Sequence, residues 1–211
     1  VVREVPSTGD PLRDLQALMA GNRLAGEYPD LPAFCGGAVG LLGYEAATYF
    51  EPSVPRAAAD DLGLPEAVFL VTESLLVFDH LTRRLKVVVN APVVGDLDEA
   101  YDAARGRIQE LLERLAQPAA VAPFDPGLGA EDTPAGVNMT HDRYVAMTAR
   151  MQEYIGAGDI FQVVPSQRFE VPFDRPPIEL YRSLRAVNPS PYMFCLELGD
   201  FSLVGSSPEI H

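Results

Sequence analysis

The stretch from Asn188 to His211 constrains this chain more than any other. Asn188-Pro-Ser-Pro191 cannot continue a helix. Each proline fixes φ, lacks an N–H and pushes the residue before it toward extended backbone. The segment must therefore turn, and it turns into an apolar run that predicts a strand over 192–198. Gly199-Asp200 then reverses the chain into a second strand over 201–205. That strand delivers Gly205-Ser-Ser-Pro-Glu209, a small-residue loop carrying one carboxylate, two residues before the sequence stops at His211. The pair reads as a ligand-binding wall followed by an active-site loop. The first residue is Val1 and the stretch after it is no signal peptide, so both ends look cut. The expectation is the front part of a larger enzyme.

The rest of the chain alternates helices with paired strands. Asp10 is an N-cap, Pro11 suits the first helical position, and Leu12, Leu15, Leu18 and Met19 form an apolar face, with Gly21-Asn22 as a stop. Residues 34–43 are apolar and Gly-rich, but their spacing fits neither the dinucleotide fingerprint nor the P-loop. A strand packed closely against another backbone accounts for those glycines. Residues 67–78 and 84–90 predict two strands joined by a turn over Asp79–Arg83. Asp96 and Glu99 open an amphipathic helix over 97–116, lined by Leu97, Ala100, Ala104, Ile108, Leu111 and Leu115, with Glu110 and Arg114 as an i,i+4 pair. Prolines and glycines without periodicity begin at Gln117, and the boundaries drawn are a subdomain over 1–120, a linker over 121–137 and a second domain from 138. Thr140 caps a helix with Tyr144, Met147, Met151 and Ile155 on one face, ending at Gly156-Ala-Gly158. A long strand over 159–172 and a short helix over 177–187 follow. Strands joined by hairpins with interspersed helices predict an α+β fold with antiparallel sheets.

With 47% hydrophobic residues the chain can build a sizeable core. Its net charge of −14 repels phosphate backbones and anionic lipid, so nucleic acid and membrane surfaces are poor partners. A local cluster of N–H groups and arginines can still hold an anionic substrate. No apolar run is long enough to span a membrane, and the expected compartment is the cytoplasm. Two cysteines, Cys35 and Cys195, each in an apolar run, read as buried free thiols.

Four features can carry chemistry. Gln162 sits in Ile-Phe-Gln-Val-Val, either as a solvent-facing strand residue or as a buried amide aimed into a pocket. Arg168 and Arg182 are anion clamps or surface charges. The bend at Asn188–Met193 can line an apolar, planar site. Gly205, Ser206 and Ser207 offer N–H and hydroxyl donors to a carboxylate, and Glu209 beside them is a candidate general acid. His80 reads as a turn histidine, and Met147 and Met151 as core.

Three segments together carry a family resemblance: Gly156-Ala-Gly-Asp-Ile-Phe-Gln-Val-Val-Pro-Ser-Gln167, Asn188-Pro-Ser-Pro-Tyr-Met-Phe194 and Gly205-Ser-Ser-Pro-Glu209. With Gly36-Gly-Ala-Val-Gly-Leu-Leu-Gly-Tyr-Glu45 and Val77-Phe-Asp-His80, the chain resembles the anthranilate synthase large subunit (component I) of the chorismate-utilising enzymes. The resemblance implies conversion of chorismate and ammonia to anthranilate and pyruvate, with Mg²⁺, and ammonia supplied by a glutamine amidotransferase subunit. It implies antiparallel sheets packed as a sandwich with flanking helices, an N-terminal part of regulatory type, and feedback by tryptophan. Asn188, Pro189, Ser190, Pro191, Tyr192 and Met193 match the tryptophan-site segment. Glu209 matches the acid near the chorismate ring, and Gly205, Ser206 and Ser207 the substrate loop beside it. Gln162 stands where isochorismate- and salicylate-forming relatives carry a lysine base that activates water. The Mg²⁺ ligands, the catalytic histidine and the residues for the chorismate carboxylate would lie beyond His211, so no metal ligand is assigned here and the chain alone is expected to be inactive. The alternatives are the aminodeoxychorismate synthase large subunit, against which Tyr192-Met193-Phe194 weighs, and a non-catalytic tryptophan-binding module.

Overall fold

Local capping chemistry sets the helices. In the computed structural model, which describes residues 9–24, 26, 28–56, 60–120, 123–124 and 135–207, helix α1 spans Pro11–Met19. The Asp10 carboxylate accepts from the N–H groups of Leu12 and Arg13 at its start. Helix α3, Leu97–Leu115, opens with the Asp96 carboxylate accepting from Asp98 and Glu99 N–H; the short α2 is Ala47–Phe50. Helix α4, His141–Ala157, starts on the Thr140 hydroxyl and stops at Gly158, whose φ of +83° is the left-handed conformation glycine tolerates. Helix α5 covers Pro177–Val187. At the starts of α1, α3 and α4 a side-chain oxygen supplied within three residues accepts one or two of the unpaired N–H groups, which is why these three helices are legible in the sequence; α2 and α5 start without such a cap.

The strands are β1 (Gly37–Leu42), β2 (Ala67–Thr72), β3 (Ser74–Asp79), β4 (Arg84–Val89), β5 (Gly136–Val137), β6 (Phe169–Glu170), β7 (Tyr192–Glu197) and β8 (Ser202–Ser207). Among the described residues they pair as four two-stranded sheets, β1-β2, β3-β4, β5-β6 and β7-β8. The fold is α+β with small antiparallel sheets, as the pattern of hairpins predicts. The molecule divides into two compact units, Val1–Ala122 with Leu196–Leu203, and Pro123–Cys195 with Val204–His211. The segment between α3 and β5 lies largely outside the described residues.

In the first unit the strand predicted over 67–78 is interrupted at Glu73. One side of the break pairs with β1, in register Gly40↔Phe69, and the other with β4, in register Val77↔Lys86. Asn90 holds the junction. Its N–H donates to the Glu73 carbonyl at 2.7 Å, and its side-chain amide donates to Cys35 O at 2.9 Å and Thr72 O at 3.4 Å. Thr72 Oγ1 adds a bond to Gly37 O at 3.0 Å. Asn90→Ala would leave part-buried carbonyls without donors, at a cost of about 1–2 kcal/mol. The expected outcome is a thermal unfolding midpoint lower by about 5 °C, read by circular dichroism.

The β3-β4 turn is closed by Asp79, whose carboxylate accepts from the Thr82 N–H at 2.9 Å. The Thr82 backbone and side-chain bonds, with Lys86 nearby, hold the Asp79 carboxyl below the usual range. A carboxyl depressed by folding stabilises the fold above its unfolded value, and this contribution is lost as pH falls through the folded value. The Thr82 amide should therefore titrate, by NMR, with a midpoint below the ordinary aspartate value of about 3.9.

Several expectations fail, each for a physical reason. The strand predicted over 159–172 reduces to Phe169–Glu170. Its partner, β5, offers only Gly136–Val137, and Pro165 has no N–H for a ladder. Glu110 pairs with Arg107 at 2.9 Å rather than with Arg114, since the i−3 neighbour is equally close on a helix. Cys35 and Cys195 are free thiols but only half-buried. Leu97 and Leu115, expected on the apolar face of α3, are 64% and 40% exposed. Among the described residues only Ala46 and Leu111 are buried, and Leu81, Phe161 and Val187 are almost wholly exposed.

Candidate ligand-binding site

Helix α5 delivers the chain into the bend. Asn188, its C-cap, takes φ −138° and donates its N–H to Leu184 O at 2.8 Å. Pro189 has no N–H to extend the helix, and Pro191 repeats the restriction two residues on. Between them Ser190 folds the turn around its own hydroxyl. Tyr192 N–H donates to Ser190 Oγ at 2.9 Å, and Ser190 Oγ donates to the Ser207 carbonyl. In the reverse direction Ser206 Oγ donates to the Asn188 carbonyl at 2.8 Å. Beyond these bonds Phe194 lies against Gly205: a Cβ at position 205 would fall 2.2 Å from the ring Cζ. Two segments 17 and 18 residues apart are thus joined as one wall.

Within this wall Asn188, Pro189, Pro191 and Tyr192 are exposed, while Ser190, Met193, Gly205, Ser206 and Ser207 are half-buried. The proline rings, Tyr192 and Met193 offer a stiff, largely apolar surface. The Ser206 hydroxyl proton is already used on Asn188, which leaves the Ser207 hydroxyl as the one of the two serine side chains not holding the bend. Glu209 lies outside the described residues.

Gln162 lies in irregular backbone between α4 and β6, with its side chain exposed, and the bonds that close the bend on β8 do not extend to it. Arg168 is engaged by Glu170 at 2.7 Å. Arg182 is engaged by Glu179 at 2.9 Å and lies over the Phe124 ring at 5.0 Å. Both arginines are therefore committed to local ion pairs. His80 is exposed in its turn, and Met147 and Met151 are half-buried along α4. A hollow of about 540 Å³ is lined by Asp102, Arg105, Gly106, Ile108 and Gln109, all from α3, so it is the flank of one helix and not a site. Among the described residues no three His, Cys, Asp or Glu side chains gather as a metal site, and no helix is long and apolar enough to cross a membrane.

Sequence reasoning missed two clusters. One is the Asn90 junction. The other joins Tyr49 Oη to Glu66 Oε2 at 2.6 Å, with Arg56 paired to Glu66 and lying 5.8 Å from the Tyr49 ring centre. Nothing in local spacing marks either, because both depend on pairings formed across loops. The bond from Tyr192 N–H to Ser190 was findable: a serine between two prolines, two residues before a strand, is the setting of a serine turn.

The chain matches the family described as chorismate binding enzyme over residues 3–211. It is 43% identical over 213 residues to anthranilate synthase component 1 of Streptomyces coelicolor, covering 97% of this chain and 40% of that protein. It is 38% identical over 208 residues to anthranilate synthase component 1 of Pseudomonas aeruginosa, covering 95% of this chain and 41% of that protein. The crystal structure of anthranilate synthase component I from Streptococcus pneumoniae superposes with a TM-score of 0.76 at 30% identity, over 95% of this chain and 44% of the other. The chain thus spans about two fifths of the length of the curated relatives it matches. Taken with the family match over residues 3–211, this likeness in sequence and fold establishes that the chain belongs to the chorismate binding enzyme family.

Proposed function

We propose that this chain is part of an anthranilate synthase large subunit, which turns chorismate and ammonia into anthranilate and pyruvate. The observation that carries the reading is the wall described above, in a chain whose relatives bear that name. In this reading the bend at Asn188, Pro189, Ser190, Pro191, Tyr192 and Met193 holds tryptophan as a feedback effector. Gly205, Ser206 and Ser207 face the substrate's anionic side. Glu209 is the general acid near the ring. Gln162, an amide, cannot take a proton from water as a lysine can, which favours ammonia as nucleophile. The relatives are named as component 1, which fits a second subunit, proposed here to be a glutamine amidotransferase that supplies the ammonia.

The remaining parts of the reading concern what lies around this chain. The two-stranded sheets would belong to larger sheets packed as a sandwich, whose further layers cover the open apolar faces. Mg²⁺ enters from the resemblance alone. The described residues do not form a site that fits it.

The test is a chimera in which this chain replaces the matching stretch of the Streptomyces coelicolor protein, assayed with chorismate and ammonium by anthranilate fluorescence. The expected result is anthranilate from the chimera and none from the chain alone. A folded chimera that aminates chorismate but retains its enolpyruvyl group would move the reading to aminodeoxychorismate synthase. A folded chimera with no turnover would overturn both.

A further inference from the structure

We propose that Lys86 is an acylation site, and that acylating its amine releases a strap, residues 30–36, from strand β4. Lys86 is the only lysine of the chain; every other cation among its 16 Lys and Arg residues is an arginine. A guanidinium stays charged, whereas a lysine amine accepts an acyl group and loses its charge. Among the side chains, amine chemistry is therefore confined to one place.

That place is a hold point. Lys86 Nζ donates to the Asp30 carbonyl at 2.9 Å and lies 3.9 Å from the Asp79 carboxylate. At the other end of the strap the Asn90 side-chain amide donates to the Cys35 carbonyl at 2.9 Å. Asp30 precedes Cys35 as Lys86 precedes Asn90, so the strap runs along β4 in the strand's own direction. Among the described residues β4 is laddered to β3 alone, and no backbone hydrogen bond joins 30–36 to it. The hydrogen bonds between strap and strand come from these two side chains.

The two ends differ. The Asn90 end is built in: a Cβ on Gly36 would fall 2.6 Å from Asn90 Nδ2, and Gly37 already begins β1. The Lys86 end rests on one side chain, 30% exposed, which a small reagent can reach. Gly37, at φ +137°, is the flexible joint between them and the sheet. Loss of the Lys86 bond leaves the strap attached through the two glycines and free to swing there.

The chemistry is that of an acyl phosphate. The Nζ lone pair attacks the acyl carbon, the N–C bond forms, the C–O bond to phosphate breaks, and the amine proton leaves with the phosphate. The product is a neutral amide with one N–H, so the charge that faced Asp79 and two of the three ammonium donors are gone. Strap and hairpin lie in the first unit and the ligand-binding wall is built from other residues, so this site stands apart from the reaction proposed above.

The test treats the full 211-residue chain with acetyl phosphate and follows alkylation of its thiols by iodoacetamide, site by site, by peptide mass spectrometry. Cys35, half-buried within the strap, is the reporter, and Cys195, half-buried elsewhere, is the internal reference. Acetylation at Lys86 should speed alkylation of Cys35 about tenfold relative to Cys195, the factor expected for loss of one charge-assisted hydrogen bond. Lys86→Gln should show the faster rate without acetyl phosphate. Lys86→Arg should keep the slow rate before and after treatment, which separates Lys86 from the chain's amino terminus. Lys86→Met serves as a second neutral variant should the glutamine form fail to fold. An unchanged Cys35 rate in the acetylated chain or in a folded neutral variant would overturn the proposal. So would a Lys86 that stays unmodified while the amino terminus is acetylated.

Discussion

Gly40→Val is expected to dismantle the β1-β2 sheet and lower the thermal midpoint by about 10 °C or more. The glycine lies in the middle of β1, opposite Phe69. A Cβ there would sit 1.9 Å from the Val68 carbonyl oxygen and 2.8 Å from the Phe69 Cα, both backbone atoms of the partner strand. Backbone cannot swing aside as a side chain can. The strands must separate, and overpacking of this kind costs upward of about 3 kcal/mol. The loss should reach beyond the sheet. Thr72 and Gly37, the end pair of this register, also carry the Thr72 Oγ1 bond, and Asn90 is bonded to Cys35 and Thr72 beside them. Circular dichroism melting checks the magnitude. Gly106→Ala is the matched control: it lies within α3 with nothing inside 4 Å of the added carbon, so it should raise the midpoint slightly.

Gly205→Val is the second large effect, and it acts on the site rather than on the fold. The added carbon would meet the Phe194 ring at 2.2, 2.7 and 2.8 Å. This obstacle is a side chain, so the ring can leave, and the unit should survive. What does not survive is the alignment of the wall, because residue 205 directly precedes the two serines that meet the bend. A displacement of about 1 Å at a positioning element can cost about a hundredfold in rate. In the chimera, Gly205→Val should therefore lower anthranilate formation by about two orders of magnitude while unfolding stays cooperative.

What the sequence discloses about this chain divides by range of interaction. Helices α1, α3 and α4 were readable because Asp10, Asp96 and Thr140 cap within three residues of themselves. The two turns at 79–83 and 199–200 were readable for the same reason. The break at Glu73 was not, since it depends on β2 and β3 having different partners, and on Asn90 returning from a distance to hold the junction. The strand expected across 159–172 shows the same limit. Ile160-Phe-Gln-Val-Val164 has strand composition, but only Phe169–Glu170 finds a partner among the described residues.

The geometry of the candidate site was legible in part. The bend and the serine loop could be named from proline stiffness and small side chains, and the structure brings them together through Ser190 and Ser206. That these hydroxyls are spent on each other's backbone was not legible. A serine donates equally well to a ligand or to a carbonyl, and only the fold decides which is in reach. Gln162, expected within a strand, lies exposed in irregular backbone.

The proposal made above has ammonia, and not water, as the nucleophile in the enzyme this chain serves. Isotopically labelled ammonium, supplied to the chimera with chorismate, tests it most directly by mass spectrometry of the aromatic product. The expected product is anthranilate carrying the label. An unlabelled, hydroxylated product formed from water would contradict it.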